Sequence, residues 1–132
     1  MRALISLLVL AACSTTQSAP SQGPIHLAGT SWQRTDDENA NPHGATLAFE
    51  AARASGYTGC NRWFASVAQD GEALRFGEIG MTRMACQAEV QAWTERSFLE
   101  VLRATRYGHY DQDVLVLLDE RQQVIARFNR AD

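Results

Sequence analysis

The sequence predicts a mainly β, α+β domain with a single helix, on three observations. From Ile25 onward, short segments of alternating apolar and polar residues are separated by turn-forming residues, which is the period-2 signature of half-buried strands. Glu89–Thr105 breaks that pattern: it contains neither Gly nor Pro, and Trp93, Phe98, Val101 and Leu102 recur at helical spacing. No unit repeats at a period of about 20–50 residues, so solenoids and propellers are excluded. At 132 residues the chain has room for one domain with a real core.

Taken in chain order, the first strand is expected in Leu27–Gln33, which holds Trp32 after a Gly-Thr-Ser approach. Asp36–Gly44, with Asn41-Pro42 inside it, reads as a polar loop. Thr46–Glu50 alternates with Leu47 and Phe49 on one side, and Ser55–Thr58 and Trp63–Ala68 are the next strand candidates. Asp70-Gly71 is a tight-turn signal into Ala73–Phe76, and Glu78–Met84 alternates again. In the helix, Glu89 suits the positive end of the dipole, and Arg103 and Arg106 suit the other end. The tail reads as Arg106–Tyr110, Val114–Leu118 and Gln123–Phe128, linked by Asp111-Gln112 and by Asp119-Glu120-Arg121.

The amino terminus reads as an address. Met1-Arg2 carries one positive charge, and Ala3–Ala12 is apolar apart from Ser6. As a helix that stretch would cover only about 15 Å, half a hydrocarbon core, so an export signal fits and a membrane span does not. Leu10-Ala11-Ala12-Cys13 matches the lipobox of bacterial lipoproteins. The match implies residues 1–12 as signal, cleavage before Cys13 and a diacylglycerol on its thiol; several acyl chains on one residue would anchor stably. Ser14, in place of an Asp, points to the outer membrane with the chain facing the periplasm. Residues 13–24 then form a lipidated, uncharged tether rich in Ser, Thr, Gln, Pro and Gly, reaching roughly 40 Å when extended.

Composition excludes several function classes. The formal charge is −3, against the dense basic face that a nucleic-acid binder needs. All 12 basic residues are Arg, and the absence of Lys removes Schiff-base chemistry, Ser–Lys dyads and P-loop chemistry. No G-x-S-x-G elbow is present.

Two cysteines remain in the body. Cys60 lies in Thr58-Gly59-Cys60-Asn61-Arg62, and Cys86 closes Met81-Thr82-Arg83-Met84-Ala85-Cys86. Their spacing is not that of a CxxC pair, and His26, His43 and His109 are too scattered to complete a zinc-ligand set, so no metal or other cofactor is expected. In an exported chain two such cysteines most naturally pair, and the loop they close would contribute about 3.5 kcal/mol in the chain-entropy model. The alternative is two buried thiols acting as small hydrophobes.

Gly59-Cys60-Asn61-Arg62-Trp63-Phe64 together with Met81-Thr82-Arg83-Met84-Ala85-Cys86 resembles the META domain, the module of HslJ-type heat-shock lipoproteins of bacteria. Leu27–Trp32, Ala51–Gly59, Glu95–Leu102 and Leu115–Phe128 resemble its opening strand, the approach to the motif, its helix and its closing hairpin. The resemblance covers about residues 26–129 and implies a small antiparallel, partly closed β-barrel or roll with one packed helix. It implies little about activity: members are linked to stress responses, novobiocin tolerance and, in a protozoan relative, motility and virulence, without an agreed reaction or ligand.

Asn61, Arg62, Thr82 and Arg83 flank both cysteines and form a candidate polar binding patch, in which two Arg beside an Asn could hold an anion or a partner's carboxylate. The competing reading assigns them to the fold, with Asn61 in a turn and the Arg side chains on backbone carbonyls. Met81 and Met84 beside Trp63 and Phe64 suit a ligand pocket or, better, core packing. The expected function is a non-catalytic envelope lipoprotein that supports stress tolerance through contact with an envelope protein. The rival expectations are an apolar small molecule held in the barrel mouth near Trp63, Met81 or Tyr107, and inhibition of a cell-wall-acting enzyme.

Overall fold

A computed structural model describes residues 25–37 and 44–131; the expected signal, Cys13, the tether and His43 lie outside the described residues. Nine strands and one helix follow in order: β1 (Ser31–Arg34), β2 (Thr46–Glu50), β3 (Arg53–Tyr57), β4 (Arg62–Asp70), β5 (Ala73–Phe76), β6 (Gly80–Met81), α1 (Glu89–Ala104), β7 (Tyr107–Asp111), β8 (Val114–Leu118) and β9 (Val124–Arg130). The fold is α+β, mainly antiparallel sheet with one helix.

The strand order is β3-β2-β1-β9-β8-β7-β5-β4-β6, and β3 also pairs with β4, so eight strands form a ring and β6 lies beside β4. Every pairing is antiparallel, and short hairpin links account for those between consecutive strands. The ring is thinnest at β5–β7, where Ala73 opposite Tyr107 is the register pair. Two flanking backbone bonds at 2.9 Å, Leu74 N–H to Arg106 and Gly108 N–H to Glu72, complete that seam.

Strand alternation fills the ring. Leu47 and Phe49, Trp63 and Ala65, Leu74 and Phe76, Leu115 and Leu117, and Ala126 and Phe128 are all buried. The helix sets Phe98 edge-on to Trp63 at 5.5 Å and to Phe128 at 6.3 Å between ring centroids, tying it to both β4 and β9. Such pairs contribute about 0.5–1.5 kcal/mol each beyond the area they bury. At the helix start the Gln91 side-chain oxygen accepts the backbone N–H groups of Gln87 and Ala88. At its end the Arg106 guanidinium donates to the carbonyls of Arg103 and Thr105, the C-terminal role its position suggested.

Three expectations are corrected. The first strand starts at Ser31, because Leu27–Thr30 closes a turn in which Thr30 N–H donates to Leu27 and Gly29 takes φ +81°. The alternating stretch Glu78–Met84 yields only the two-residue β6, since after Thr82, whose N–H still donates to the Arg62 carbonyl of β4, the backbone turns and Met84 bonds the Asn61 side chain instead of a neighbouring strand. Trp93 is 47% exposed, and the buried stripe of α1 is Thr94, Phe98, Leu99, Val101 and Leu102. Spacing alone had placed Trp93 on the inner face, one residue out of phase.

Candidate functional site

The corner where β3 passes into β4 gathers the sequence's chemical motifs. Cys60 and Cys86 form a disulfide with Cα atoms 5.6 Å apart. Thr58 builds the turn: its Oγ1 accepts the N–H groups of Cys60 at 3.2 Å and Asn61 at 2.9 Å, while its own N–H donates to the Asn61 carbonyl. Gly59 has φ +102°, and a Cβ there would stand 2.5 Å from Thr94 Cγ2, so only glycine lets this turn rest on the helix. That close approach brings Glu95, the residue after Thr94, against the turn.

Asn61 is the hub. It is 3% exposed, and both ends of its amide are engaged. Oδ1 accepts Thr82 Oγ1–H at 3.0 Å and Met84 N–H at 2.7 Å; Nδ2 donates to the Met84 carbonyl at 3.2 Å and to Glu95 Oε1 at 3.0 Å. Thr58 Oγ1 donates to the same Glu95 oxygen at 2.8 Å. Thr82 Oγ1 in turn accepts Arg62 N–H at 3.1 Å, completing a network from β4 through the segment after β6 to α1. The donors and acceptors of Asn61 thus hold three segments of chain together, and the Thr82 hydroxyl is likewise occupied.

Arg62 and Arg83 remain at the surface. Among the described residues neither guanidinium has a hydrogen-bond or ion-pair partner, which is equally true of the exposed Arg75, Arg96, Arg103 and Arg121, whereas Arg34 and Arg127 both meet carboxylates. Arg62 borders a groove of about 520 Å³ with Thr46, Ser55, Tyr57 and Phe64. Phe64 is 52% exposed, with the Arg53 guanidinium 6.0 Å from its ring centroid. The β3–β4 register sets Tyr57 opposite Arg62 and Ser55 opposite Phe64, so cation and rings share one outward face.

The remaining candidates scatter. Trp63 is 1% exposed and borders the same groove as Phe64, Met81 packs on the core, and Met84 is 71% exposed. Tyr107 lines separate grooves beside β5 and β7. His26 is exposed and His109 half-buried on β7, and neither joins a cluster of metal-ligating groups among the described residues. Sequence reasoning missed Thr58 and Glu95. The signal for Glu95 was present: it lies three residues before Phe98, so a carboxylate falls on the inward stripe of the helix, where it needs donors.

Fold and corner together define a small disulfide-braced antiparallel β module that carries one helix. Residues 25–132 match the family model of the META domain, and the chain belongs to that family. Its fold is similar to the NMR structure of a protein from Burkholderia xenovorans (TM-score 0.62, 23% identity, 93% of this chain and 99% of that one). It is also similar to the crystal structure of a DUF4847 family protein from Bacteroides vulgatus (TM-score 0.59, 17% identity, 80% of this chain and 96% of that one). At these identities the likeness is one of fold. No curated protein is significantly similar in sequence.

Proposed function

We propose that the chain is a lipid-anchored, non-catalytic protein of the bacterial cell envelope, held through Cys13 at the outer membrane and facing the periplasm. It supports envelope stress tolerance by binding a protein partner through the Arg62–Arg83 corner. The observation that carries this reading is the pair of exposed guanidinium groups without partners of their own, on a corner made rigid by the disulfide and the Asn61 network. A guanidinium not committed within the fold is available to a partner's carboxylate, and a pre-ordered corner lowers the entropy cost of docking. The half-exposed Phe64 adds apolar area to the same region. An apolar ligand inside the ring gains no support, because Trp32, Trp63, Phe98 and Phe128 fill it at 1% exposure or less.

The test is complementation with an Arg62→Ala/Arg83→Ala double variant. Both side chains are exposed, so folding stability should move by no more than about 0.5 kcal/mol per site. Envelope stress tolerance should fall to the level of the deletion strain; full tolerance with the variant expressed at wild-type level would rule the surface out. In parallel, Cys13→Ser should leave the chain unprocessed and shift it out of the membrane fraction, and unchanged fractionation would remove the anchor.

A further inference from the structure

We propose that Cys60, Cys86 and Glu95 form a redox-gated zinc site: closed as a disulfide in the oxidised protein, and able to bind one Zn²⁺ through two thiolates and a carboxylate once reduced. The three residues offer ligand atoms that all lie within 4.8 Å of one another, and each residue is only partly buried. Glu95 Oε2 stands 3.7 Å from Cys86 Sγ. Tetrahedral zinc, with oxygen at about 2.0 Å and sulfur at about 2.3 Å, sets those two ligand atoms about 3.5 Å apart. The carboxylate is therefore placed as a ligand already.

Its orientation is fixed from behind. Thr58 Oγ1 and Asn61 Nδ2 both donate to Oε1, which leaves Oε2 facing Cys86 Sγ, the kind of outer support that metal-binding carboxylates receive. A disulfide sulfur has no proton to give that oxygen, so the contact does nothing for the oxidised form. The sulfurs, once parted, need to stand about 3.8 Å apart in a tetrahedral site. Cys86 lies on the irregular segment between β6 and α1, so its side chain can swing without breaking a strand ladder.

The gating step balances with a dithiol reductant. One of its thiolates attacks a sulfur of the Cys60–Cys86 bond, which breaks as a mixed disulfide forms; its second thiol then displaces the remaining cysteine. The reductant leaves as a disulfide and the protein holds two thiols. Zinc binding displaces both thiol protons to solvent, and a water takes the fourth position.

The test uses the full chain, reduced anaerobically with a phosphine and freed of it, and titrated with Zn²⁺ in competition with a chromophoric chelator. Expected are one zinc per chain, protection of the Cys60 and Cys86 thiols from a thiol reagent on binding, and thiolate charge-transfer bands when Co²⁺ replaces Zn²⁺. The oxidised chain and Cys86→Ser should not compete with the chelator. Glu95→Gln keeps an oxygen for Thr58 and Asn61 but removes the charge, and should weaken binding at least about tenfold. No binding by the reduced, folded chain would overturn the proposal, as would affinity unchanged in Glu95→Gln. If reduction unfolds the chain, refolding on addition of zinc supports the site and continued unfolding counts against it.

Discussion

Asn61 shows what one side chain can impose. An amide donates and accepts at once, so the Asn61 side chain can hold both the N–H and the carbonyl of Met84, as a strand partner would, while also serving Thr82 and Glu95. That is why the chain after β6 abandons the ladder and carries Cys86 back to Cys60. Asn61→Ala removes the side-chain partner of the Met84 N–H and carbonyl, the acceptor of the Thr82 hydroxyl and one of the two donors to Glu95 Oε1. It should cost about 2–4 kcal/mol in urea denaturation, with the disulfide still intact. Asn61→Asp should also destabilise, because a carboxylate cannot donate to the Met84 carbonyl and would face Glu95. The cysteine motifs made this residue visible in the sequence, but nothing local distinguished a ligand-facing amide from a buried one.

At the scale of elements, α1 is held by its aromatic and aliphatic stripe. Phe98 is fully buried between Trp63 and Phe128, whereas Trp93, the larger side chain, stands 47% exposed. Phe98→Ala should therefore destabilise by about 3–5 kcal/mol, and Trp93→Ala by less than about 1 kcal/mol, in chemical denaturation of the two variants. Equal losses would mean that Trp93 is covered in solution. Helical spacing marked the element and its length to within a residue at the C-terminal end, yet it did not settle the buried stripe, which depends on what the helix rests on; there the turn at Gly59 lies so close to Thr94 that no Cβ would fit between them.

Across the whole molecule, the ring must be secured where its ends meet. The segment entering β1 crosses near β7: Ile25 lies against the space above Gly108, and the Tyr110 hydroxyl donates to the His26 carbonyl at 2.6 Å. Burial raises the Tyr110 hydroxyl above its ordinary value of 10.0, opposed by the nearby Arg130 charge and a hydrogen bond with Thr30. The folded state thus holds this proton more tightly than the unfolded chain does. The resulting stabilisation is fully present below about pH 10 and is lost as pH rises through the raised value. Thermal unfolding followed from pH 8 to 11, roughly spanning that window, should show a decline that is smaller in Tyr110→Phe. An identical decline in both would assign alkaline sensitivity to other groups.

The strand alternation, the single Gly- and Pro-free segment and the two cysteine motifs determined the mainly β class, the helix and the family, because those signals are local and their periods follow from backbone geometry. Ring closure, the meeting of Thr58, Asn61 and Glu95, and the division of the polar patch into a buried hub and two free guanidinium groups were decided only in three dimensions. Those features depend on contacts between residues distant in the chain, 37 positions apart for Thr58 and Glu95 and farther still where β1 pairs with β9. No periodicity within one segment reports which distant group will satisfy a buried donor.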